Sequence, residues 1–127
     1  MKLHKVIAAY KSLYIIMEMC LPYKVSRQVL SLHYALESEV EFYVSEENKL
    51  IQKYGKKENG KVVIVDDKVH FDSLEQMQAY ISKISELKEL EIEFDLPVIN
   101  IKESDVENQK MRATDIENLS EFIKIGE

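Results

Sequence analysis

The sequence MCLPYKVSRQVL, residues 19–30, separates two helical patterns in the first half of the chain. Up to the second residue of this stretch, hydrophobic residues recur at alternating steps of three and four, at Leu3, Val6, Tyr10, Leu13, Met17 and Cys20. Pro22 lacks an N–H and disfavours helical geometry at Leu21, so the first helix is predicted to end near residue 20. The helical spacing restarts directly afterwards, which predicts a second helix after a corner of a few residues.

The second pattern predicts a long helix over residues 25–54. Its hydrophobic positions are Val25, Val29, Leu32, Leu36, Val40, Tyr43, Leu50 and Tyr54. Gly55 follows at the place where a left-handed C-cap residue ends a helix. Because so few residues separate the two predicted helices, 3–20 and 25–54, we expect them to pack antiparallel as a helical hairpin.

Residues 56–71 have the composition of turns and strands. The cluster KKENG is typical of a turn, and it is followed by the β-branched run KVVIV. Asp66 and Asp67 form a second turn signal before the short run KVHF. This arrangement predicts one β-hairpin over about residues 61–71.

Three further elements are predicted in the second half of the chain. Asp72 or Ser73 caps a helix over residues 73–92, with Gln76 at the capping-box position relative to Ser73. An apolar run predicts a strand over residues 98–101. Thr114 and Glu117 form another capping box, which predicts a short C-terminal helix over residues 114–124.

The predicted fold is a helix-dominated α+β fold in a single domain, residues 1–127. It consists of a long antiparallel helical hairpin, a third helix, an inserted β-hairpin and a short C-terminal helix. The length of 127 residues suits one hydrophobic core. We expect neither a parallel sheet nor a strand within residues 27–53.

Composition excludes several classes of protein. The net charge of −6 argues against broad nucleic-acid binding, which requires many cationic contacts to phosphate. Lys11 and Glu18 interrupt the apolar run AAYKSLYIIMEMCL, so no membrane span is predicted. No small-residue cleavage site follows that run, which argues against a signal peptide. A single cysteine forms no internal disulfide, which favours a cytoplasmic location.

Residues with catalytic potential are few and lie far apart in the sequence. Cys20 occupies a hydrophobic position with no histidine nearby, so we predict a buried, unreactive thiol. The histidines His4, His33 and His70 lie in three different elements without the spacing of a metal motif. We therefore predict that the protein is not an enzyme and has no catalytic residue, metal or cofactor.

Tyr23, Lys24 and Arg27 are the candidate binding residues. Lys24 and Arg27 project from one face of the second helix, and near its N-terminus their charges oppose the helix dipole. Tyr23 adds an aromatic surface with a polar tip, a type enriched in recognition sites. Three interpretations stay open: ion pairs with acids such as Glu103 or Asp105, a solvated turn, or a site for an anion or a protein partner.

Four stretches carry a family resemblance: LPYKVSRQVLSLHYALESEVEFY, ENKLIQKYGKKENGK, EIEFDLPVINI and ATDIENLSEFI. Through them the chain resembles a family of small, largely uncharacterised proteins encoded by bacteriophages and prophages of low-GC bacteria. The resemblance spans most of residues 10–123. It implies a viral origin and a non-enzymatic accessory role, and it supplies no catalytic residue.

These observations predict a phage accessory protein that binds a host or viral protein. A role as a component of defence stays open. One alternative is an oligomeric binder that sequesters an anionic signalling nucleotide at Lys24 and Arg27. A second alternative is a component of virion assembly. We also expect a homodimer, because the first helix has apolar residues outside its predicted stripe, namely Ile7, Tyr14, Ile15 and Ile16.

Overall fold

The computed structural model describes residues 1–126, and helices account for most of the regular structure. The helices are α1 (Leu3–Met17), α2 (Tyr23–Tyr54), α3 (Leu74–Lys88), α4 (Glu103–Val106) and α5 (Ala113–Leu119). The strands are β1 (Lys57–Glu58), β2 (Lys61–Val62), β3 (Ile64–Val65), β4 (Lys68–Val69), β5 (Ile99–Lys102) and β6 (Ile123–Gly126). With 58% of the chain in helices, the predicted helix-dominated α+β class is confirmed.

The chain folds into two compact units. Unit 1 contains Met1–Val40 and the described residues from Glu91 onward, and unit 2 contains Glu41–Leu90. Unit 1 therefore holds α1, the first part of α2, α4, α5, β5 and β6, while the remaining elements belong to unit 2. The single domain inferred from chain length stays a prediction.

In unit 1, α1 and α2 form the predicted helical hairpin. The rings of Tyr10 and His33 stack with their centroids 5.3 Å apart, and the Tyr10 hydroxyl donates to Glu37 Oε2 at 3.3 Å. Only residues 18–22 connect the helices, so contacts this far from the connection require α2 to run back along α1. The hairpin buries Leu3, Val6, Leu13 and Ile16 of α1 and Val29, Leu32 and Leu36 of α2.

The buried stripe of α1 differs from the predicted one. Met17 is 37% exposed and Cys20 is exposed, so the prediction of a buried cysteine was wrong. The helix ends at Met17, which leaves Cys20 in the connection, where helical periodicity no longer decides burial. The small residues Ala9 and Ser12 are buried instead, because α5 packs directly against this side of α1.

A parallel pair forms between β5, which overlaps the strand predicted over residues 98–101, and β6, which the sequence did not predict. β5 pairs with β6, with Ile99 opposite Ile123 and Ile101 opposite Ile125. Helix α5 ends at Leu119, short of the predicted residue 124, and the expectation of no parallel pairing was wrong. The β-branched residues of this segment favour an extended backbone once a partner strand is available, and that pairing overrides the helical spacing.

Unit 2 contains two consecutive β-hairpins. In the second, between β3 and β4, both turn residues have positive φ angles, 54° at Asp66 and 61° at Asp67. This is the signature of a type I′ turn. The hairpin predicted as one unit over about residues 61–71 is found over 64–69, whereas Lys61 and Val62 pair with β1. The first hairpin, between β1 and β2, was missed although Asn59 and Gly60 form the same kind of turn, with φ angles of 53° and 78°.

Local packing and capping explain how the helices of unit 2 end and begin. Gly55 follows α2, but its φ angle is not positive, contrary to the prediction. Close packing surrounds this position: a Cβ atom added to Gly55 would lie 2.8 Å from Val62 Cγ1 and 2.7 Å from the Ile51 carbonyl oxygen. A side chain at position 55 would therefore require Val62 of the first hairpin or the last turn of α2 to shift. Ser73 caps α3 as predicted, since its hydroxyl accepts a hydrogen bond from the Gln76 backbone N–H at 3.2 Å.

The exposure of Cys20 generates a prediction opposite to the one made from its spacing. We expect Cys20→Ser to change the free energy of unfolding by less than about 0.5 kcal/mol, as exposed substitutions usually do. The native thiol should react with a disulfide reagent about as fast as the same thiol in urea-unfolded protein. A native rate far below the unfolded rate would contradict this placement.

Candidate functional site

The three candidate residues Tyr23, Lys24 and Arg27 lie together in unit 1. With Gln28 and Ser31 they line an open cavity of about 300 Å³ at the start of α2, which we call the Tyr23 pocket. The guanidinium carbon of Arg27 lies 6.0 Å from the centroid of the Tyr23 ring, at the limit of a cation–π contact. Tyr23 is 79% exposed, so its ring is available to a binding partner.

The corner before α2 sets the position of these side chains. The Pro22 carbonyl accepts a hydrogen bond from the Ser26 backbone N–H at 3.0 Å, and the Ser26 hydroxyl donates to the Leu21 carbonyl at 3.3 Å. The first bond begins the helix, and the second gives the carbonyl at the corner a partner. Because the helix starts at Tyr23, Lys24 and Arg27 fall three residues apart on one face.

Lys24 and Arg27 make no ion pair with any other residue in the range 1–126. The sequence suggested Glu103 and Asp105 as partners. Both belong to α4, and neither forms an ion pair with Lys24 or Arg27 in the described structure. The ion-pair interpretation is therefore not realised in this structure. Both cations line the Tyr23 pocket without an acidic partner from residues 1–126.

An apolar slot adjoins the Tyr23 pocket. This cavity of about 180 Å³ is lined by Gln28, Ser31, Leu32, Leu96, Pro97, Ile99 and Phe122. Gln28 and Ser31 line both cavities, so the pocket and the slot lie side by side along α2. No pattern in the sequence indicated the slot, because its walls come from three segments that only the tertiary structure brings together.

The size and lining of the slot indicate what it would accept. An apolar cavity of about 150 Å³ binds one benzene molecule, so this slot suits one aromatic ring or one branched aliphatic side chain. Its polar groups are those of Gln28 and Ser31, which lie where it meets the Tyr23 pocket. The combined site offers positive charge at one part and an apolar surface at the other.

Asp115 is a buried carboxylate that no sequence pattern singled out. It is 3% exposed and accepts hydrogen bonds from Ser12 Oγ at 2.8 Å and from Arg112 Nε at 3.3 Å. Asn118 Nδ2 in turn donates to Ser12 Oγ at 3.1 Å. The hydrogen bond from Ser12 makes the largest contribution to lowering the pKa of Asp115, and Arg112 lowers it further. Burial opposes this effect, but the pKa stays below its ordinary value. An ionised, enclosed carboxylate of this kind joins α5 to α1 and is a poor general base.

A second cluster of titratable groups lies in unit 2. The Tyr43 hydroxyl donates to Glu47 Oε2 at 2.8 Å, and burial together with this bond raises the pKa of Tyr43. Burial, with a smaller contribution from the charge of Glu47, also raises the pKa of Tyr80. Both phenols stay protonated at physiological pH, so neither serves as a base.

The described part of the chain presents neither a metal centre nor a membrane-spanning helix. Within residues 1–126, no cluster of three or more histidine, cysteine or acidic side chains is arranged to hold a metal ion. No helix in that range is both long and apolar enough to cross a membrane.

Comparisons with models of protein families, with curated proteins and with solved structures find no match. The function must therefore be inferred from the geometry of this chain.

The unpaired state of Lys24 and Arg27 predicts that they are dispensable for folding. We expect the double variant Lys24→Ala/Arg27→Ala to melt at the wild-type temperature or slightly above it. Its free energy of unfolding would rise by at most about a few tenths of a kcal/mol, because charge opposing the helix dipole is removed. Thermal unfolding followed by circular dichroism would measure this. A melting temperature lower by many degrees would reveal ion pairs that the structure lacks.

The lowered pKa of Asp115 predicts a dependence of stability on pH. The folded protein binds this proton less readily than the unfolded chain, so the stabilisation is complete above the unfolded pKa of about 3.9 and is lost as the pH falls through the lower folded value. Asp115→Asn should therefore melt well below the wild type at pH 7, with the difference shrinking below about pH 4. Glu117→Gln, which removes an exposed carboxylate from the same helix, is the matched control and should show no such trend. A pH-independent difference for Asp115→Asn would contradict the assignment.

Proposed function

We propose that this protein is a non-enzymatic binding protein that recognises a partner protein through Tyr23, Lys24 and Arg27. The observation that carries the proposal is a pair of cations, without an ion-pair partner among residues 1–126, beside an exposed tyrosine at an open pocket. Tyrosine and arginine are enriched among the residues that contribute most to protein interfaces. Helix stability supplies no reason for these cations, because their charges oppose the dipole of α2.

The state of the titratable groups favours binding over catalysis. Asp115, Tyr43 and Tyr80 are three residues whose pKa values are shifted. Asp115 is enclosed by Ser12 and Arg112, and the hydroxyl of Tyr43 is bonded to Glu47. These interactions stabilise the fold, so the shifted groups have a structural explanation that requires no reaction.

The family resemblance supports a viral accessory role for this binding activity. In that setting the partner would be a host or viral protein in the bacterial cytoplasm, and a role in defence is one form of the proposal. Virion assembly is another form, in which the partner would be a structural protein of the same virus. The same site residues are expected to act in each case.

The Tyr23 pocket also favours a second candidate function, the sequestration of an anionic signalling nucleotide. Lys24 and Arg27 would bind phosphate oxygens through charge-assisted hydrogen bonds. Tyr23, with an exposed ring, would stack on a base. In this case the ligand would be a small molecule that co-purifies with the protein or raises its melting temperature.

Site-specific photo-crosslinking tests the proposed function. A benzophenone amino acid placed at Tyr23 should form an adduct with a specific protein in an extract of a low-GC bacterium, infected or lysogenic. The yield should fall at least about tenfold when Lys24 and Arg27 are also replaced by alanine, because an interfacial charge pair contributes more than about 1.4 kcal/mol when it is desolvated. The matched control places the crosslinker at Leu74, which is 62% exposed on α3 and should give no such adduct.

Two outcomes would contradict the proposal. An adduct whose yield is unchanged in the double alanine background would show that the cations do not contribute to recognition. The absence of any protein adduct at Tyr23, together with an increase in melting temperature on adding nucleotides, would favour the second candidate function instead.

A further inference from the structure

We infer that the partner segment is an acidic peptide with one bulky apolar side chain, bound across the Tyr23 pocket and the apolar slot. This inference rests on the proposed function and specifies the chemistry of the partner. The apolar side chain would enter the slot, and carboxylates of the same segment would lie beside Lys24 and Arg27.

The lining of the slot selects an apolar side chain over a nucleobase. Five of the seven lining residues are apolar: Leu32, Leu96, Pro97, Ile99 and Phe122. A purine or pyrimidine carries several hydrogen-bonding groups, and burying them against these side chains would leave most of them unpaired at a substantial cost. A leucine, isoleucine or phenylalanine side chain has no such groups and matches a cavity of about 180 Å³.

The charges near the pocket select an acidic segment. Within residues 1–126, Lys24 and Arg27 have no ion-pair partner, and no acidic residue is among those that line the Tyr23 pocket or the slot. The whole chain nevertheless has a net charge of −6, so much of its surface repels an acidic peptide. Electrostatic complementarity therefore directs such a peptide to this stretch of α2.

The distance between the two cavities sets the spacing within the peptide. From Arg27 to Leu32, α2 rises by roughly 8 Å, at about 1.5 Å per residue. An extended peptide covers this distance with about two or three residues. Gln28 and Ser31 lie between and line both cavities, so we expect their side chains to hydrogen-bond the peptide backbone. The expected motif places acidic residues about two to four positions from the apolar anchor.

Selection from a random peptide display library tests this inference and does not require an identified partner. The wild-type protein is the target, and binders that also bind Lys24→Ala/Arg27→Ala are removed. We expect the enriched peptides to share a bulky apolar residue with at least two acidic residues within about four positions. The best peptide, made synthetically, should bind more weakly as the salt concentration rises from about 50 to about 300 mM.

A matched pair of variants tests the slot. Leu96 lines the slot and is 36% exposed, whereas the nearby Val98 is 40% exposed and does not line it. Leu96→Asp should weaken binding of the selected peptide at least about tenfold by placing a carboxylate where the apolar anchor enters. Val98→Asp should change it less than about twofold. Unchanged circular dichroism spectra verify that both variants fold.

The outcomes separate this inference from the proposed function. Enriched peptides without acidic residues, or binding that is insensitive to Leu96→Asp, would overturn the inference. So would competition of a nucleotide with the selected peptide at equal or higher affinity. If the selection yields nothing while crosslinking at Tyr23 still captures a protein in a cation-dependent manner, the acidic peptide class falls and the proposed function stands. If both experiments fail, the proposed function falls as well.

Discussion

The buried hydrogen bond between Ser12 and Asp115 is the interaction on which the rest of unit 1 depends. Helix α5 has only seven residues, too few to be stable in water without tertiary contacts. Ser12 and the small Ala9 allow the backbone of α5 to lie close to α1, and the Asp115 carboxylate then joins the two helices. The position of α5 in turn places Phe122 and Ile123, from which β6 pairs with β5.

This chain of contacts also builds the candidate binding site. Phe122 and Ile99 both line the apolar slot. They are joined by a hydrogen bond of 2.8 Å, which the Ile99 backbone N–H donates to the Phe122 carbonyl oxygen. The opposite wall comes from α2, which also carries the Tyr23 pocket. The candidate site therefore has an apolar part and an exposed cationic part. If it binds a partner as proposed, the first would select for shape and the second for opposite charge.

The site was only half predictable from the sequence. Tyr23, Lys24 and Arg27 were recognisable because all three lie within about one turn and a half of a helix whose start is determined locally by Pro22. The slot was not recognisable, since Leu32, Leu96 and Phe122 are separated by long stretches of chain and no local pattern relates them. The prediction for Cys20 was wrong for a related reason: its spacing fitted α1, but the helix ends before it.

The sequence by itself determined the elements whose causes are local. These are the corner at Pro22, the long helix after it, the turn at Asp66 and Asp67, and the cap at Ser73, each produced by residues within a few positions of one another. Only the tertiary structure decided which face of α1 is buried, that Ile123–Gly126 is a strand, and that a side chain at position 55 would meet Val62. The physical reason is that burial, parallel pairing and close approach depend on partners distant in sequence, and no short-range pattern encodes those distances.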